Sequence, residues 1–105
     1  MICTLTARRL KPDSYDQFRA AWDPTGTNPQ ALQRWTRVYH CRDVKDPDVV
    51  ISFGLFDGTP GELRAAQAEL SRDSQVDRVA PHVEHVLLDG SYEIIEELTP
   101  HRHAE

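Results

Sequence analysis

Apolar and polar residues alternate with a period of two from Ile2 to Leu10, where Cys3 and Leu5 interleave with Thr4 and Thr6. That period predicts a strand with one face more polar than the other. After Lys11-Pro12, Asp13 or Ser14 stands where a helix cap is needed. Tyr15, Phe18, Ala21 and Trp22 then recur at helical spacing until Asp23-Pro24 ends the run. Residues 25–33 carry Gly26, Asn28 and Pro29 with no sustained period, which predicts a loop with room for one helical turn around Gln30 to Leu32. Arg34 to Arg42 predicts a second strand, with Trp35, Arg37, Tyr39 and Cys41 on one face and Thr36, Val38 and His40 on the other. A polar turn containing Asp46-Pro47 makes it a hairpin with Val49 to Phe56, the most apolar run of the chain. Val49, Ile51, Phe53 and Leu55 alternate there with Val50, Ser52, Gly54 and Phe56, as expected of a central strand covered on both faces.

Thr59-Pro60-Gly61-Glu62 is a capping box with proline at the first helical position, where its missing N–H costs nothing. Leu63, Ala66 and Leu70 give that helix its inner face, and Ser71 to Ser74 reads as a break. Val76, Val79, Ala80, Val83, Val86 and Leu87 again follow helical spacing, so a further helical segment is expected, kinked or split by Pro81 and closed by Asp89-Gly90. Ser91 to Leu98, with Tyr92, Ile94 and Ile95, predicts the last strand, and residues 99–105 a frayed tail. A chain of 105 residues supports one core and not two, so residues 1–98 are expected to form a single domain.

The order strand, helix, strand, strand, helix, short helix, strand is the split βαβ arrangement. It predicts an α+β, ferredoxin-like βαββαβ domain with a four-stranded antiparallel sheet and an extra short helix before the last strand. Helices on one sheet face leave the other uncovered. Ile2, Val50, Phe56 and Trp35 or Tyr39 are expected on faces that the helices cannot all reach, and a homodimer packing such faces together is the economical solution.

Charge narrows the partners. A net charge of -5 at pH 7 without a basic run argues against nucleic acid and anionic membrane surfaces. No apolar stretch approaches the roughly 20 residues of a membrane helix, and the N-terminus lacks a signal-peptide pattern, so a cytoplasmic location is expected. Cys3 and Cys41 lie on separate strands and are expected as buried, reduced thiols, because two cysteines do not make a metal site by themselves.

Three local signals accompany the element order: the Asp46-Pro47 turn before an apolar strand, Phe56-Asp57 leading from that strand into a helix, and the closing Asp89-Gly90-Ser91-Tyr92-Glu93. Over residues 1–98 the chain thus resembles the dimeric α/β-barrel superfamily, and within it the antibiotic-biosynthesis-monooxygenase-like domains. The resemblance implies a dimeric α/β barrel. It also implies a range of activities that includes cofactor-free oxygenases of polycyclic phenols, haem-degrading enzymes, and muconolactone-isomerase-like and dechlorinase-like enzymes. This chain departs from the pattern at Phe56, where the monooxygenase-like domains have tryptophan. It also has Thr4 and Thr6 where the haem-degrading branch has asparagine, and no histidine from Pro60 to Arg72, which disfavours haem degradation.

His40 is the candidate catalytic base toward a phenolic ligand, since its ordinary pKa lies near neutrality. Trp35, Arg37 and Tyr39 suit either stacking and hydrogen bonding to an aromatic ligand or a dimer interface. Thr4, Thr6 and Ser52 would supply neutral polar lining, with Phe56 and Tyr92 at the same cavity. A one-residue slip in register would exchange Trp35, Arg37 and Tyr39 with Thr36, Val38 and His40 as the lining set. His82 and His85 stand three apart, a metal-like spacing without a third ligand, and His101 and His103 form a similar pair in the tail. Glu93, Glu96 and Glu97 either offer a carboxylate to the cavity or form a solvated edge that discourages further strand pairing. The resulting expectation is a small-molecule-binding homodimer acting without a cofactor as a monooxygenase or isomerase of a small aromatic or polyketide-like substrate. The alternative is a non-catalytic dimeric domain that binds a metabolite or a protein.

Overall fold

The computed structural model describes residues 1–23 and 32–100. In chain order these form β1 (Ile2–Leu10), α1 (Tyr15–Trp22), β2 (Trp35–Arg42), β3 (Val49–Phe56), α2 (Pro60–Glu69), α3 (Arg72–Val79), a single 3-10 turn (Ala80–His82) and β4 (Val83–Glu93). The sheet has the order β2-β3-β1-β4 with antiparallel neighbours throughout, the ferredoxin-like α+β arrangement. Most of the helical turn expected around Gln30 to Leu32 lies outside the described residues, as does the His101 and His103 pair. Among the described residues no helix is long and apolar enough to cross a membrane.

The helices stand where local chemistry starts them. Glu62 N–H donates to Thr59 Oγ1 at 3.1 Å and Thr59 N–H donates to Glu62 Oε1 at 2.9 Å, closing the capping box of α2. Leu63 and Ala66 of α2 then bury against Ile2 and Phe56. Phe18 of α1 buries with Leu10, Val50 and Val79 in a second cluster. The last carbonyls of α1 have no partner within their own helix, and α3 satisfies them. Gln75 Nε2 donates to Trp22 O at 2.7 Å, and Arg78 donates through Nε to Ala21 O and through Nη2 to Asp23 O, both at 3.1 Å. Trp22 is thereby tied to the sheet's covered side.

The C-terminal third differs from the expectation. The helix ends at Val79, and the strand occupies Val83–Glu93 instead of Ser91–Leu98; residues 94–100 have no regular structure. Pro81 cannot continue the helical ladder. The helical spacing of Val83 and Val86 has another origin: Val83 pairs with Leu10 and Val86 with Arg8 across one of the strand's two register shifts, so an extra residue puts side chains three apart on one face. Asp89-Gly90 lies inside the strand, with Gly90 opposite Leu5. His82 sits in the 3-10 turn and His85 opposite Arg9 on β4, so they share no helical face, and among the described residues no cluster of three metal-ligating side chains exists.

A second shift corrects β2. Trp35 pairs with Phe56 and Arg37 with Leu55, so a bulge around Thr36 turns Trp35 onto the face of Val38 and His40 and leaves Arg37, Tyr39 and Cys41 on the other. Ile2, Val50 and Phe56, expected near an uncovered face, belong to the core beneath the helices. The face away from the helices is apolar all the same, built from Leu5, Ile51, Phe53, Leu55, Tyr39 and Tyr92. Cys3 and Cys41 also lie there as free thiols, Cys3 half-buried and Cys41 exposed, so the expected burial fails for Cys41.

Candidate functional site

Between the helix-covered sheet face and the three helices lies a cavity of about 480 Å³. Thr4, Thr6 and Arg8 of β1 and Ser52 and Gly54 of β3 contribute to its floor, and Trp22 of α1 and Trp35 of β2 to its walls. Thr4, Thr6, Trp35 and Ser52 thus share one cavity lining. Phe56 does not join them: it is fully buried behind Trp35, ring centroids 4.7 Å apart. Arg37, Tyr39 and Tyr92 are on the opposite sheet face, because they pair with Leu55, Phe53 and Cys3. Glu96 and Glu97 lie beyond the last strand and are exposed.

Trp35 is held by what surrounds it. Its Nε1 donates to Thr4 Oγ1 at 3.4 Å, a long bond, and its ring edge packs on Phe56. Gly54 permits the placement, since a Cβ there would lie 2.8 Å from Trp35 Cδ1.

His40 reaches the cavity through Ser52, whose Oγ is 2.7 Å from His40 Nδ1. The imidazole itself is enclosed by aromatic rings, edge-on to Trp22 at 4.7 Å and to Phe18 at 6.2 Å, and its buried Nε2 has no hydrogen-bond partner. An N–H at Nε2 can face π electrons, whereas a lone pair there would be repelled. With the hydrogen on Nε2, Nδ1 accepts from the Ser52 hydroxyl. Burial, then the positive charges of Arg19 and Arg8, push the His40 pKa below its usual 6.5, with Asp23 opposing. Below about pH 6.5 the unfolded chain binds a proton on this ring that the folded chain does not, so stability falls as pH drops toward the folded pKa and is unaffected above 6.5. His40→Gln is expected to flatten that part of the profile, read as the urea midpoint between pH 7.5 and 5.

Arg8 also belongs to this lining, although no motif in the sequence singles it out. It is only 4% exposed, its Cζ sits 5.2 Å from the Phe18 ring centroid, and Nη1 is buried without a hydrogen-bond partner. Burial, followed by the charge of Arg72, lowers its pKa, while Asp89 opposes. Arg72 Nη2 donates to Asp89 Oδ1 at 2.9 Å, and Thr6 Oγ1 donates to the same oxygen at 3.0 Å. The available signal was parity: Arg8 continues the column of Thr4 and Thr6, so a cation stands in the inward-facing register of β1.

Several solved structures share this fold. A protein from Deinococcus radiodurans, provisionally named an antibiotic biosynthesis monooxygenase, superposes with a TM-score of 0.73 at 13% identity, covering 97% of this chain and 100% of that one. A protein from Nitrosomonas europaea with the same provisional name gives 0.68 at 16% identity over 91% and 100%. An uncharacterised NIPSNAP domain protein from Burkholderia xenovorans gives 0.64 at 15% identity over 96% and 100%. At these identities the likeness establishes the fold. No family model and no curated protein matches the chain.

Proposed function

We propose that the cavity binds a small, flat, largely apolar molecule of the aromatic or polyketide type, and that the chain acts on it as a homodimeric, cofactor-free monooxygenase or isomerase. A volume near 480 Å³ suits such a ligand, and Trp22 and Trp35 offer it aromatic walls. The names given to the Deinococcus radiodurans and Nitrosomonas europaea structures agree with this class. The observation that carries the reading is the 2.7 Å contact between Ser52, on the cavity floor, and the enclosed His40.

Both reactions begin with loss of a proton from an activated carbon or phenol. Ser52 Oγ takes that proton while passing its own to His40 Nδ1, so the serine is unchanged and the imidazole becomes a cation. A substrate carbanion then reduces dissolved oxygen in the oxygenase case, or regains the proton at another carbon in the isomerase case. The depressed basicity of His40 means that the transfer needs a substrate whose anion is itself well stabilised.

Anthrone tests the shared step, because its methylene loses a proton readily and, with one O2, yields anthraquinone and one water. The wild type is expected to accelerate methylene exchange with deuterium oxide under nitrogen and oxygen uptake in air. His40→Gln and Ser52→Ala are each expected to slow exchange by at least about 10²-fold, with quenching of tryptophan fluorescence by anthrone unchanged. Binding without exchange or uptake in the wild type would favour the non-catalytic alternative.

A further inference from the structure

We propose that Arg8, with Arg72 beside it, is the receptor for an oxyanion on the ligand, so that the cavity takes up an aromatic carboxylate or phenolate in preference to a neutral arene. This rests on the cavity being the ligand site. Two guanidinium groups line the cavity, and their charges are unevenly answered. Asp89 is committed to Arg72 and Thr6 through one oxygen, and Asp23, at the cavity edge, is paired with Arg19 at 2.6 Å. Among the described residues no carboxylate forms an ion pair with Arg8, although it is among the most buried polar residues of the domain and its Nη1 lacks a hydrogen-bond partner.

A cation withdrawn from water in this way is strongly unfavourable unless a counter-charge meets it. The ring of Phe18 answers part of the charge from one side, without supplying a hydrogen-bond acceptor. A planar oxyanion supplies both charge and acceptors, in the geometry that guanidinium groups bind best. The position also fits the chemistry around it. Thr6 and Ser52 are paired across β1 and β3, and Arg8 is the next residue on the same face after Thr6, so the anion site adjoins the hydroxyl that contacts His40.

The test is calorimetric titration at pH 8.5 with 1-naphthoate, 4-nitrophenolate and the uncharged 1-naphthamide. The carboxylate or the phenolate is expected to bind the wild type about tenfold to a hundredfold more tightly than the amide, and whichever does so identifies the source of the oxyanion. Arg8→Gln is expected to erase the preference and leave the amide unaffected. Asp89→Asn, at a half-exposed position where the amide oxygen can still accept from Thr6, is expected to raise anion affinity severalfold, because it removes a competing negative charge and frees Arg72. Equal binding of charged and uncharged probes, or an Asp89→Asn protein with unaltered preference, would overturn the oxyanion receptor while leaving the cavity as a ligand site. Failure of all three probes to bind would overturn both.

Discussion

Phe56→Ala is expected to lower unfolding stability by about 3–5 kcal/mol, the range for removing a large aromatic ring from a core that cannot collapse around the gap. Phe56 is fully buried, and its neighbours arrive from independent elements: Ile2 from β1, Leu63 and Ala66 from α2, Trp35 from β2. None can move into the space without leaving its own strand or helix. Since small domains have about 5–15 kcal/mol in total, the loss is a large fraction, and at roughly 4–8 °C per kcal/mol the midpoint of thermal unfolding should fall by at least about 12 °C. Phe56→Leu keeps much of the volume and should cost clearly less. The ring also backs Trp35, so the alanine variant should loosen a cavity wall and weaken ligand binding even at temperatures where it stays folded. A midpoint within a few degrees of wild type in differential scanning calorimetry would contradict the packing described for this cluster.

The same residue shows what a sequence can and cannot disclose. Alternation along Val49–Phe56 and the capping box at Thr59 are local signals, and strand and helix stand where those signals place them. Which of two strand faces meets the helices is not local. A single bulge near Thr36 moved Trp35 to the cavity and left Arg37 and Tyr39 outside, and nothing in Trp35-Thr36-Arg37 announces an extra residue. At Val83–Leu87 two register shifts imitated a helical period, and only Pro81 argued otherwise. His40 was recognisable as a near-neutral base, but its position behind Ser52 and within an aromatic shell depends on contacts between α1 and the sheet. Arg8 was legible in principle from its parity with Thr4 and Thr6. A charged side chain in an inward column is easily read as an edge residue when the strand's neighbours are unknown.

Phe53→Asp is expected to abolish the proposed homodimer, raising its dissociation constant by at least about 10³-fold. The sheet face away from the helices presents Leu5, Ile51, Phe53 and Leu55 flanked by Tyr39 and Tyr92, with Phe53 and Tyr39 stacked at 5.0 Å and 29°. Tyr39 and Tyr92 remain 42% and 44% exposed in the single chain, and Leu88, paired with Ala7 on that face, 51%. Aromatic and aliphatic side chains in one contiguous patch with Arg37 beside them have the composition of an interface core and its rim. Two-fold packing would bury each protomer's Phe53 at once, so a carboxylate there must lose its water twice per dimer, at several kcal/mol in all. In the isolated chain Phe53 is partly buried and stacked on Tyr39, so the substitution also costs some stability, which the unfolding midpoint of the monomer reads separately. Phe53 borders the cavity between Ser52 and Gly54, but its side chain stands on the opposite sheet face from theirs, so the variant should still bind an aromatic ligand, which separates loss of assembly from loss of fold. Light scattering coupled to size-exclusion chromatography at tens of micromolar reads the outcome: a wild type already monomeric, or a Phe53→Asp protein that still elutes as a dimer, would remove this face as the site of self-association.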